Sequence, residues 1–239
     1  VGVQLEDGAC APADAVVANA DLPYVYDQLL DDPGAARMAR HLKRRKYTSS
    51  AVMFYWGLDR RYERELPAHH NVFLAADYRG SFEQIFRHYR PPVDPSFYIS
   101  AAARTDPASA PPGQEAWVVL VPVGHLEEGV HVDWNEQRER IRAHVLRRLA
   151  EAGVPRLQEH LVFEQCYTPP YYSEGLNLMK GSAFGLAHNI RQVGYFRPSN
   201  KAKLFTGLYF VGANTHPGTG LPLVLISARL TAERLLADG

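Results

Sequence analysis

No surplus of charge of either sign marks this 239-residue sequence, in which 26 lysines and arginines face 26 aspartates and glutamates. Neutralising nucleic-acid phosphates needs a clustered excess of Lys and Arg, so that class of partner is excluded. Cysteine is almost missing. Cys10 and Cys166 stand far apart and form no CxxC pair, which argues against a disulfide framework or a zinc site and fits a reducing compartment. No apolar run reaches the roughly 18–20 residues that span a bilayer, and the mean hydropathy is −0.27. The first residues have no basic stretch followed by an apolar one, so no signal peptide is expected. The GxSxG, HExxH, GxxxxGK[ST] and GxGxxG signatures are absent as well. His69 and His70 are adjacent and are expected to point apart. His125 and His131 flank a glycine-containing turn without a third ligand, so no metal centre is expected.

What is present reads as globular. Hydrophobic residues make up 46% and charged residues 22% of the chain, enough for a core in one large domain or two modest ones. Val1 to Leu5 alternates apolar with small or polar residues and Glu6-Asp7-Gly8 turns it back, so the sequence reads as opening inside a strand, with an expected upstream part. Asp14 to Ala18 reads as a short buried strand. Asp21 is placed to cap a helix through Tyr24 to Leu30, with Pro23 at its first position. Gly34 to Lys46 carries Arg37, Arg40, His41, Lys43, Arg44, Arg45 and Lys46, which is either a solvated helix face or a contact for anionic headgroups.

Ser50 to Leu58 is apolar on both alternating faces, the mark of a strand covered on both sides by packed helices, or of one whose second face lines an apolar cavity. Asn71 to Leu74 and Ser96 to Ala101 read as further strands. The helix between them, Ser81 to Tyr89, sets Phe82, Ile85, Phe86 and Tyr89 on one stripe, either core or a ligand- or membrane-facing surface. Thr105 to Gly113 is a proline-rich loop and Glu115 to Val123 a strong strand. Asp133 and Glu136 form a capping box before a helix with Ile141, Val145 and Leu149 on one face, closed by Gly153. Leu161 to Glu164 is a short strand, and Thr168 to Pro198 is a long Gly, Pro, Tyr and Asn-rich segment of the kind that carries function. The fold class expected is mixed α/β, with strands and helices in layers.

The chemistry concentrates at the end of the chain. Leu208 to Gly212 is a buried strand, Ala213 to Leu221 a glycine-bearing loop, and Pro222 to Leu236 a helix with proline at its first position. Gly212, Gly218 and Gly220 would let a ligand approach the backbone. The helix N-terminus would offer unpaired N–H groups and a positive dipole end to an anion or an electron-rich carbonyl edge. A tight structural turn explains the same residues equally well. His216-Pro217 stiffens the loop under either reading.

The stretch Leu208 to Arg234 resembles the C-terminal flavin-binding motif of the bacterial and fungal type phytoene desaturases, within the amine-oxidase-like flavoproteins. The resemblance runs in order through Asp14 to Pro23, Tyr55-Trp-Gly57, Asp94 to Tyr98, Val119 to His125, Asn177 to His188 and Phe196-Arg-Pro198. It implies an FAD enzyme that removes hydrogens from phytoene toward lycopene, with the flavin accepting the hydride. Gly212 and Ala213 would approach the pyrophosphate and ribityl chain, and Gly218, Gly220, Leu221 and Pro222 would sit by the isoalloxazine. His216 would serve either in proton transfer or in holding the loop. The resemblance further implies a partial FAD-binding domain over 1–30, a mixed-sheet substrate domain over 31–165 and a return to the FAD-binding domain over 166–239. A hydrophobic polyene substrate, a peripheral position on the cytoplasmic side of a membrane and a homo-oligomer belong to the same expectation. Family members begin with GxGxxG, which this sequence lacks, so it is expected to be the C-terminal portion of such an enzyme. A related carotenoid or retinoid oxidoreductase, or a non-catalytic lipid-binding fragment, is the alternative.

Overall fold

The computed structural model describes residues 2–238; Val1, which opens the first expected strand, and Gly239 lie outside them. In chain order come β1 (Gly2–Gln4), β2 (Cys10–Pro12), β3 (Val16–Ala18), α1 (Leu22–Tyr24), which continues as a π turn over Val25–Leu29, and α2 (Pro33–Lys43). Then follow β4 (Ser50–Leu58), β5 (His70–Phe73), α3 (Tyr78–Phe86), β6 (Phe97–Ala101), β7 (Glu115–Val123) and α4 (Trp134–Glu151). Next come β8 (Leu161–Tyr167), α5 (Pro169–Glu174), β9 (Leu208–Phe210) and α6 (Leu221–Asp238). This is the mixed α/β class that the sequence pattern implies. The chain divides into two units: Val1–Thr48 with Leu176–Met179 and Phe184–Gly239, and Ser49–Gly175 with Lys180–Ala183.

The first unit pairs β3 with β9 in parallel, Val16 opposite Leu208 and Ala18 opposite Phe210. Parallel neighbours need a long crossover, and here almost the whole chain lies between them. Residues 31–48 belong to this unit, beyond the expected boundary at residue 30, because α2 completes its core. Ala35, Ala39 and Leu42 pack with Leu22, Val25, Tyr26 and Phe210. Asp32 caps α2, accepting from Gly34 N at 2.6 Å and Ala35 N at 3.1 Å. Asp21, expected as the cap of the preceding helix, makes no cap bond. With Pro23 as the second helical residue one amide donor is missing, and the Asp21 carboxylate instead accepts from Met179 N at 2.7 Å. Its pKa is raised by burial.

The second unit is a five-stranded antiparallel sheet in the order β5-β6-β7-β4-β8. Alternation along β4 and β7 sends Val52, Phe54, Trp56 and Leu58, with Trp117, Val119, Val121 and Val123, to one face, where Ile141, Val145 and Leu149 of α4 cover them. The opposite face holds Met53, Tyr55, Leu120, Tyr98 and Tyr167 and is half-buried. β8 outruns the expected Leu161 to Glu164 because Gln165, Cys166 and Tyr167 stay in register with β4. Residues 166–175 therefore belong with the sheet, past the expected boundary at 165.

Two local expectations are corrected. α3 starts at Tyr78, capped by Asp77 on Gly80 N at 2.9 Å, and stops at Phe86. Tyr89 thus leaves the stripe, adopts φ +52° and stacks its ring 4.6 Å from that of His125. His69 and His70 do not point apart. His69 precedes β5, so strand alternation does not govern it, and the two rings stack 4.1 Å apart.

One buried ion pair ties the sheet to its flanking turn. Arg104 contacts the Glu115 carboxylate directly and also donates to Leu66 O at 3.0 and 2.9 Å. Glu115 further accepts from Tyr62 N at 2.9 Å and Trp117 Nε1 at 2.6 Å. Removing one partner leaves the other charged and desolvated, so Arg104→Ala is expected to lower the unfolding free energy by about 3–5 kcal/mol. Urea denaturation monitored by tryptophan fluorescence reads this out.

Candidate functional site

The first unit ends in β9, the loop 211–220 and α6. Gly212, Gly218 and Gly220 hold φ values of +118°, +147° and +112°, which L side chains avoid. A methyl group on Gly212 would stand 3.1 Å from Asn19 Oδ1, and one on Gly218 3.3 Å from His188 Nε2 and 3.6 Å from Arg197 Nε. At Gly220 the same methyl would meet nothing within 4 Å. The loop is thus closed in at two glycines and open at the third. α6 begins at Leu221, so Pro222 is its second residue rather than its first. Val224 N donates to Gly220 O at 2.9 Å, which closes the first turn. The remaining N–H groups of that turn form a donor set with a positive dipole end.

Buried polar side chains frame this loop. Ser227 Oγ, on α6, accepts from Gly212 N at 3.3 Å and lies 3.0 Å from Thr215 Oγ1. Asn200 Nδ2 donates to Ser227 Oγ and His216 O, both at 3.0 Å. Arg197 is buried, and its guanidinium donates to the carbonyl oxygens of Thr215 (3.2 Å), Leu186 and Gln192 (both 3.3 Å), and of Ala213. Burial pushes its pKa down to about 10, which leaves it protonated at neutral pH. Asn214 Oδ1 accepts from Leu186 N at 2.6 Å, and its Nδ2 bonds the Asp21 carboxylate.

The residues expected at the site therefore fall as follows. Gly212, Ala213, Gly218, Gly220, Leu221 and Pro222 are brought together by contiguity in one loop and helix start. His216 has its Nδ1 3.3 Å from Gly194 O, and its amide donates to Pro198 O at 2.9 Å. The peptide joining it to Pro217 is cis. Arg197, Asn200, Thr215, Ser227 and His188 had no individual role in the sequence reading. An Arg-Pro dipeptide does not announce that its guanidinium will be buried under four carbonyls, and Ser227 is one of several small residues on α6. Only the Phe196-Arg-Pro198 and Asn177–His188 motifs marked those neighbourhoods. Among the described residues no group of three or more His, Cys, Asp or Glu side chains is placed to hold a metal ion.

An open glycine turn with helix donors behind it fits a flat, electron-rich ring or an anionic group better than a bulky apolar one. Because Ser227 holds the Gly212 amide, Ser227→Ala would leave that donor unpaired. We expect a loss of about 1–3 kcal/mol of stability together with faster amide exchange at Gly212 and Thr215, read by hydrogen–deuterium exchange.

Comparison with known proteins adds three findings. Residues 1–236 match the family described as Flavin containing amine oxidoreductase. The chain is 50% identical over 236 residues to a zeta-carotene-forming phytoene desaturase of Myxococcus xanthus, and 44% identical over 243 residues to a phytoene desaturase of Neurospora crassa. These alignments cover 98% and 99% of this chain but 44% and 40% of the relatives, so the chain spans less than half of their length. Among solved structures, an oxidoreductase from Methanosarcina mazei matches with a TM-score of 0.57 at 16% identity, covering 95% of this chain and 44% of that one.

Proposed function

The chain belongs to the flavin containing amine oxidoreductases, and from that premise we propose that it is the part of an FAD-dependent carotenoid desaturase that carries the flavin-contacting loop and the polyene-binding sheet. The observation that carries this reading is the 50% identity, over 98% of the chain, to a relative named as a zeta-carotene-forming phytoene desaturase. The residues present fit a flavin: the glycine turn is open at Gly220 and shielded at Gly212 and Gly218. Gly212 and Ala213 would hold the phosphate and ribityl side, and Gly218, Gly220, Leu221 and Pro222 the ring side. When bound, FAD supplies an acceptor for a hydride. Arg197, Asn200 and Ser227 keep the loop backbone in one arrangement, which preorganises the site.

The substrate of this reading is phytoene, a long apolar chain. The half-buried face of Met53, Tyr55, Tyr98, Leu120 and Tyr167 supplies the apolar, aromatic surface such a molecule needs. A full-length enzyme containing this chain, loaded with FAD and given phytoene, is expected to produce visible polyene absorbance. Bound flavin without any new absorbance band would overturn the reading.

The same reading includes a peripheral position on the cytoplasmic side of a membrane. Arg37, Arg40, His41, Lys43 and Arg44 are exposed on and just after α2, with Lys43 bonded to Asp27 at 2.7 Å. Among the described residues no helix is long and apolar enough to cross a membrane. Each cation near an anionic surface is worth about 1 kcal/mol. Replacing Arg37, Arg40 and Arg44 with Gln is expected to weaken binding to phosphatidylserine vesicles on the order of 100-fold at low salt. Vesicle sedimentation measures it, and binding equal to the parent would argue against a contact through α2.

A further inference from the structure

His216 is the histidine inside the glycine loop, yet its ring is turned to the Gly194 carbonyl. A different imidazole lies against the loop. His188, from the segment leading to Arg197, has its Nε2 3.3 Å from the point where a Gly218 side chain would begin, and Arg197 Nε lies 3.6 Å from the same point. Its side chain is exposed. We propose that His188 is the proton acceptor of the desaturation, an inference that rests on the desaturase reading above.

The reaction needs such a group. Converting a CH2–CH2 pair into CH=CH breaks two C–H bonds. One hydrogen leaves with its electron pair as hydride to the oxidised flavin, which is thereby reduced. The electron pair of the other C–H bond becomes the new π bond, and its proton has to go to a base. An apolar substrate provides none. His188 Nε2 takes the proton and, being exposed, passes it to solvent, so the imidazole is neutral again for the next step.

The environment keeps His188 ready to accept. Partial desolvation against the loop and, after it, the charge of Arg197 hold its pKa below the usual histidine value, which favours the neutral ring. Arg197 is the charged neighbour acting on it, and Arg197 is fixed by its carbonyl partners.

The test uses the full-length, FAD-loaded enzyme in lipid vesicles with phytoene, mixed anaerobically while flavin bleaching is followed against pH. The parent is expected to lose rate as pH falls through a pKa below the ordinary value of about 6.5. In His188→Gln the rate is expected to drop by about 100-fold or more, to lose that acid limb, and to recover partly with added imidazole in His188→Ala. Flavin content and melting temperature should match the parent, and a histidine titration followed by NMR should give His188 a depressed pKa. A His188→Gln enzyme reduced at the parent rate, or with the parent pH profile, overturns the proposal while leaving the desaturase reading standing. Loss of flavin or of folded protein in both variants overturns it in favour of a structural role. A flavin-loaded parent that phytoene does not reduce overturns both.

Discussion

The guanidinium of Arg197 is the interaction on which the site depends. The segment from Phe184 to Gly220 has little regular structure, so most of its carbonyl groups have no ladder to join, and buried carbonyls without donors are costly. One arginine supplies five N–H groups in a rigid fork. Here they are shared among Leu186, Gln192, Ala213 and Thr215, which come from separate stretches of the chain. A lysine could not reach all of them, having a single nitrogen. The charge is tolerated in the interior because the carbonyl dipoles replace its hydration shell. The same charge then sets the electrostatic environment at Gly218.

The first unit frames a loop, and the second is built as a sheet with two unlike faces. In the second unit the strands are long and the register continuous, so one sheet face becomes a dry core under α4 and the other remains half-covered and aromatic. That division follows from side-chain alternation alone. The buried Glu115 and Arg104 pair lies at the margin of the dry face, where it fixes the turn that follows β6.

Much of this was legible in the sequence, and unevenly so. β4 and β7 begin and end where their apolar runs do, since nine alternating or doubly apolar residues leave little else for the chain to form. The glycine loop was visible as a candidate site because its residues are contiguous. What framed it was not visible, because Arg197, Asn200, Asn214 and Ser227 meet only after the chain returns on itself. His69 and His70 show the same limit on a smaller scale: pointing apart holds inside a strand, and the pair straddles its start. Asp21 had the right spacing to be a helix cap, but the proline two residues on removed a donor, and the carboxylate accepts from Met179 N instead. The unit boundaries shifted for a related reason, as α2 and the end of β8 are assigned by what they pack on rather than by composition.

The pairing of β3 with β9 has a consequence for how the chain is made. Val16 finds its partner in Leu208, so β3 and β9 cannot pair until all of the chain between them has been synthesised. The second unit has its strands and covering helix within one uninterrupted stretch, and it has everything required to fold while the ribosome is still working. Contacts between distant residues form slowly because loop closure must come first. For that interval Leu22, Val25 and Tyr26 wait without Phe210, an apolar surface open to chaperones or to another nascent chain. Slowing elongation just ahead of β9 would lengthen that exposure.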